Sequence, residues 1–199
     1  RVAAGGIAKQ ILKFILGSSS PRRLELLKSI GINPDQVISP DIDESIHKNE
    51  TPKDYVKRIS FEKMDSLKEN NSNSIILTAD TIAFCGRRLI DKTDKPEIAT
   101  QNLNFLSGKR HKVITSLCIL DKDKNLITKS VLSTILMKRL SKNEIDQYIS
   151  SNEWLNVAGS YRIQGQAESF IKFINGSYSN IVGLPLYETR NILKSVGAV

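Results

Sequence analysis

The run SIILTADTIAF, residues 74 to 84, constrains the fold of this chain more than any other stretch. Apolar and β-branched side chains fill nearly every position, with none of the apolar–polar alternation of a strand that has one wet face. Such a strand must be covered on both sides, as the central strands of α/β sheets are. Asp80 breaks the pattern at the close of its most apolar part, IILTAD. Burial raises a carboxylate's pKa unless a cation or metal compensates, and ligand sites of α/β sheets lie at strand ends. Asp80 therefore reads either as a cap bonding the Thr81 backbone or as a base or metal ligand.

The flanking segments support the same architecture. KFILGS is a short buried strand ended by Gly17, and a helix follows with Ser20 as N-cap, Pro21 in its first position and Gly31 as its stop. Residues 32 to 50 read as irregular and carry the acidic patch DIDES (41 to 45). Thr51 and Asp54 form a capping-box pattern that opens a second helix, with Tyr55, Val56 and Ile59 on its apolar stripe. Lys63 lies seven residues after Val56 and four after Ile59, on that stripe, where a lysine either snorkels to solvent or reaches into a cleft.

A helix over 95 to 108 turns Ala99, Leu103 and Leu106 inward, and strands at about 112 to 121 and 126 to 138 read as a hairpin. Ser141 and Glu144 repeat the capping box; a strand near 169 to 174, an Asn175-Gly176 turn and a helix at about 185 to 196 complete the chain. Strands alternating with helices, plus one long hairpin, predict an α/β fold around a mixed sheet with flanking helices. Residues 1 to 11 read as an extension or expression remnant, and 12 to 199 as a single domain.

Charge and rare residues narrow the chemistry. The net charge of +8, from 29 basic and 21 acidic residues, attracts anions. The lysines are spread along the chain without interleaved aromatics, so nucleic acid is not an expected partner. No run approaches the ~18 apolar residues of a membrane span. RVAAGGIAKQ lacks a secretory pattern, and Cys85 and Cys118 lie far apart without metal-ligand spacing. Free thiols and a cytoplasmic location are expected.

His47 and His111 are too few for a histidine-based metal site, and no P-loop, GxGxxG, HExxH or GxSxG motif occurs. Chemistry is left to carboxylates, lysines, arginines and backbone amides. The turn GSSSPRR ends a strand at a helix N-terminus, which favours an anion. Arg22 and Arg23 oppose the helix dipole there; a bound phosphate would offset them, and two solvated arginines on a capped helix are an equal alternative. Glu44 offers a second carboxylate that could share a divalent cation with Asp80, and oxygen-only ligation points to magnesium or manganese rather than zinc.

ILGSSSPRRLELLKSIG, DIDES, DYVKRISFEKM, ILTADTIAF, LSGKRHKVIT and SYRIQGQAESFIKFINGSYSNIVGLPLYET stand in the order and spacing of the Maf family of nucleoside triphosphate pyrophosphatases, which the chain resembles from about 13 to 196. The combination of SPRR, ADT and IQG resembles the branch that hydrolyses dTTP and UTP. The resemblance implies a mixed α/β fold with two lobes around a central cleft, shared with inosine triphosphate pyrophosphatases. It implies Asp80 as proton acceptor, Glu44 and Asp80 as holders of Mg²⁺, Mn²⁺ or Co²⁺, and Lys63 and Lys92 on the phosphates. The turn from Ser18 through Ser20 to Arg23 would bind the phosphate chain, while Arg22 or Arg23, Thr81 and Gln164 would select the base. It also implies a nucleotide substrate and a homodimer. Arg162 stands where the family usually has glycine, and Thr93 where it usually has proline; both bear on nucleotide preference. The alternative implied by the family is a non-catalytic nucleotide- or nucleic-acid-binding regulator of cell division and septum formation.

Overall fold

The computed structural model describes residues 12–71 and 73–199; the extension expected over 1–11 lies outside the described residues. Strands β1 (Lys13–Gly17), β2 (Gln36–Ile38), β3 (Ser74–Cys85), β4 (Arg88–Ile90), β5 (Arg110–Leu120), β6 (Leu126–Met137) and β7 (Ile171–Asn175) share one sheet in the order β2-β1-β3-β5-β6-β7, with β4 on β3. β1 runs parallel to β2 and β3, and the remaining pairings are antiparallel, so the sheet is mixed as expected. The helices are α1 (Pro21–Ser29), α2 (Pro52–Lys68), α3 (Pro96–Leu106), α4 (Lys142–Ser150), α5 (Tyr178–Val182) and α6 (Leu186–Ser195).

The two-residue period of β3 explains its composition. Ile76 packs with Ile15, Cys118 and the α2 residues Met64 and Leu67. Its alternates Ile75, Leu77, Ala79 and Ala83 join the larger core on the opposite face, with Leu27, Leu103, Tyr148 and Leu193. Each fully buried Ile or Leu contributes about 1.5–3 kcal/mol, and only an apolar run collects that on both faces.

The edges of β3 are used unequally. β5 follows one edge from Ile76 to Phe84. On the other edge β1 pairs with residues 74–78 and β4 with 83–85, leaving 79–82 unpaired in the sheet between them. Asp80 and Thr81 sit in that gap. This corrects the expectation that Asp80 closes a strand: it is in the middle of a strand of 12 residues. What ends there is the neighbour, β1, at Gly17 opposite Thr78. The strand continues past its most apolar part because β5 supports the other edge.

Local signals mark most helix boundaries. The capping box of α4 forms through Ser141 and Glu144, and in α2 the Thr51 side chain accepts from the Asp54 N–H. Ser20 occupies the N-cap of α1 without a side-chain capping bond. The segment expected to be irregular contains β2, and two 3₁₀ turns, Ala158–Ser160 and Gln166–Phe170, precede β7. Pieces this short carry no readable periodicity. No helix among the described residues is long and apolar enough to cross a membrane.

Gly17 leaves no room for a side chain where β1 turns into α1. A Cβ there would lie 2.6 Å from Leu67 Cδ1 and 2.7 Å from Thr78 Cγ2. Gly17→Ala is expected to lower stability by about 1–3 kcal/mol through overpacking. A urea titration checks this, and an unchanged midpoint would show that the contact relaxes freely.

Candidate active site

Lys63 organises one wall of the cleft. Helix spacing puts it on the buried face of α2, and it reaches inward instead of snorkelling: its Nζ lies 2.8 Å from Asp80 Oδ1 and 2.7 Å from Glu44 Oε1. Lys92 reaches the second oxygen of the same carboxylate, with Nζ 2.8 Å from Glu44 Oε2. Glu44 itself lies on an irregular segment held against α2. Tyr55 Oη donates to the Glu44 carbonyl at 2.9 Å, and Arg58 donates to the Ser45 carbonyl at 2.9 Å.

The two carboxylates titrate in opposite directions. Burial pushes Asp80 above the usual carboxylate range, against the pull of the Lys63 and Arg23 charges. Partial burial acts on Glu44 in the same sense, but hydrogen bonds from Lys63 and Lys92 outweigh it and lower its pKa to about 2. One carboxylate is thus a committed anion and its neighbour is a stronger base than a surface aspartate, the separation of roles expected in acid–base sites.

The two arginines of the opening turn have different fates, because successive helix positions point about 100° apart. Arg23 is buried: its guanidinium donates to Ser18 Oγ at 3.0 Å, to Thr81 Oγ1 at 3.1 Å and to the Gly183 carbonyl at 2.9 Å. It clamps the β1–α1 turn to β3 and to the end of α5, and burial lowers its pKa. Arg22 is half-buried and faces the cleft. Thr81 Oγ1 also bonds Thr115 Oγ1 at 2.9 Å, so this hydroxyl is engaged within the fold.

The cleft has a volume of about 460 Å³ and gathers Ser20, Arg22, Arg23, Glu44, Lys63, Asp80, Thr81 and Lys92 from the sequence-based set. Ser18 is behind the wall, with its Oγ accepting from the Ser20 N–H at 3.1 Å as well as from Arg23; Ser19 lines the cleft in its place. Gln164 is outside the main cleft, in a small adjoining recess. Sequence reasoning assigned no individual role to Ser19, Asn156, Ile181 or Val182, which also line the cleft. The quoted block INGSYSNIVGLPL, which folds into α5 and the Gly183 turn, was the available signal for the last two. Thr93 holds the Lys92 loop to this wall through its carbonyl, which accepts from the Asn156 N–H at 3.1 Å.

Four cationic groups face two carboxylates around the cleft, an excess suited to a polyanion. Glu44 and Asp80 converge on one ammonium, which presents hard carboxylate oxygens on the same wall of the cleft. No group of three or more His, Cys, Asp or Glu side chains that could hold a metal occurs among the described residues. Two carboxylates completed by water and substrate oxygens are the donor set that magnesium accepts.

Comparison with known proteins identifies relatives along nearly the whole chain. The nucleoside triphosphate pyrophosphatase of Anaplasma phagocytophilum is 48% identical over 179 residues, covering 90% of this chain and 93% of that protein. The dTTP/UTP pyrophosphatase of Zymomonas mobilis is 45% identical over 183 residues, covering 92% and 91%. A solved structure, the Ham1 protein of Staphylococcus aureus, overlaps 67% of this chain and 89% of its own at 14% identity and a TM-score of 0.44, a partial likeness too weak to speak for function. The family model for Maf-like proteins matches residues 13–196, and with relatives of this identity along nearly its whole length the chain belongs to the Maf-like protein family.

Proposed function

We propose that the chain hydrolyses nucleoside triphosphates, dTTP and UTP foremost, to the monophosphate and pyrophosphate. The observation that carries this reading is the cluster of buried Asp80 and Lys63 with half-buried Glu44, opening into a cationic cleft at the start of α1. Relatives named nucleoside triphosphate pyrophosphatase and dTTP/UTP pyrophosphatase support it.

In this reading a water oxygen bonds to the α-phosphorus while the bond from that phosphorus to the bridging oxygen of the β-phosphate breaks. Asp80 accepts the water's proton, for which its raised pKa suits it. Lys63 fixes the direction of that carboxylate, and Lys92 and the helix start hold and neutralise the phosphate chain. Glu44 and Asp80 would hold the divalent cation (Mg²⁺, Mn²⁺ or Co²⁺), which supplies further charge neutralisation at the phosphate oxygens when bound. Arg22, Thr81 and Gln164 would select the base, with Arg23 as the clamp that holds Thr81.

A purely binding role gives the raised basicity of Asp80 no use, whereas proton transfer from water uses it. The test is a pyrophosphate-release screen across standard and modified nucleotides with each of the three cations. Release is expected with dTTP and UTP. Protein that binds both nucleotides and yet releases no pyrophosphate under any of these conditions would overturn the reading.

A further inference from the structure

The cleft narrows past Arg22, Ala158, Ile181 and Val182 into a recess of about 20 Å³, bounded also by Tyr161, Arg162 and Gln164. That space holds a group about the size of one water, so it can take a ring substituent but not a ring. Its polar lining consists of two guanidinium groups and one amide on a background of apolar side chains.

The loop that carries Arg162 is fixed at its own N–H and at the residue before it. The Arg162 N–H donates to Tyr148 Oη at 2.8 Å, and Tyr161 Oη bonds His111 Nε2 at 2.7 Å. The side chain is less satisfied. Arg162 Nε is buried and has no hydrogen-bond partner among the described residues. Its charge is close enough to Arg22 to lower that residue's pKa, second only to burial, while Glu25 on α1 opposes the shift. Two like charges set side by side in the lining suit a ligand atom that accepts hydrogen bonds.

We infer that Arg162 is a specificity-determining residue, which with Arg22 and Gln164 makes the recess a reader for an acceptor substituent, a carbonyl oxygen or an anionic group, on the edge of the bound base. The inference rests on the pyrophosphatase reading for the placement of a nucleotide in the cleft. A base lying along Ala158, Ile181 and Val182 presents its edge to the recess. Uracil and thymine offer a carbonyl oxygen where cytosine carries an amino group. Guanidinium has donors only, so an amino group there leaves donors facing donors. Glycine at this position would remove the charge and open the recess.

The test measures UTP and CTP affinities by calorimetry without divalent cation, and kcat/KM with it, for wild-type protein, Arg162→Gly and Arg162→Gln. The glutamine variant keeps much of the bulk without the charge, and melting temperatures verify that both variants fold. The wild-type preference for UTP over CTP is expected to fall about tenfold in both variants, the size of one lost polar base contact. An unchanged ratio, or wild-type protein that binds UTP no better than CTP, overturns the inference. Absence of turnover in wild-type protein overturns the pyrophosphatase reading instead, while the affinity ratio still decides the role of Arg162.

Discussion

Asp80→Asn is expected to lower single-turnover pyrophosphate release about a thousandfold, within the range for loss of a general base. Triphosphate affinity is expected to hold or rise, because a negative charge leaves an anion cleft. The fold is expected to survive, since asparagine keeps the shape and Lys63 keeps Glu44 at 2.7 Å. Asp80 is 7% exposed and its pKa is raised in the folded chain. The ionised carboxylate therefore costs stability at pH above that raised value, and the amide removes this cost. The melting temperature near neutral pH should be equal or higher.

Three readouts separate the roles Asp80 could have. Weaker dTTP binding with unchanged turnover of bound nucleotide would make it a substrate contact. Weaker Mn²⁺ binding to the free variant, with activity restored at high Mn²⁺, would make it a metal holder and no more. The wild-type rate should rise with pH as Asp80 loses its proton, and the variant should lack that limb.

What the sequence disclosed about this site follows the range of the interactions. Lys63 was legible because its place on the α2 stripe depends on residues four and seven positions away. The covered faces of β3 were legible from the missing alternation, and the helix boundaries from proline, glycine and capping residues. The open edge of β3 was not, since it depends on where β1 stops and β4 begins, and both partners are remote in sequence. The separation of Arg23 from Arg22 was equally hidden. Arg23 is fixed by the Gly183 carbonyl 160 positions away, a backbone group that leaves no mark in the pattern of side chains. Ser18 and Ser19 are chemically alike, so only the direction of the turn decides which of them lines the cleft. Glu44 was legible by its chemistry alone, because nothing local fixes an irregular segment; Tyr55 and Arg58 on α2 do that.

Lowering the pH from 7 toward 4 is expected to cost the fold about 3 kcal/mol through His111 alone. The ring is 1% exposed, hydrogen-bonded to Tyr161 Oη at 2.7 Å and edge-on to the Tyr161 ring with centroids 5.4 Å apart. Burial lowers its pKa from 6.5 to about 4. Between those values the unfolded chain binds a proton that the folded chain refuses, so stability is fully present above 6.5 and falls as the pH falls, by at most about 1.4 kcal/mol per unit. Glu44, Glu50 and Glu144 are lowered to about 2 and stabilise the fold above 4.5, so their losses begin only below that value. Asp80 has the opposite sign, since its protonation relieves a buried charge. Urea titrations of wild-type protein and His111→Gln at pH 7, 6, 5 and 4.5 isolate the histidine. Glutamine still reaches for Tyr161 but does not titrate, so the variant should be less stable at pH 7 and flatter down to 4.5. Parallel curves would clear His111. Because Tyr161 precedes Arg162 and Gln164 on one loop, charging this buried ring should loosen the recess they line before the sheet gives way.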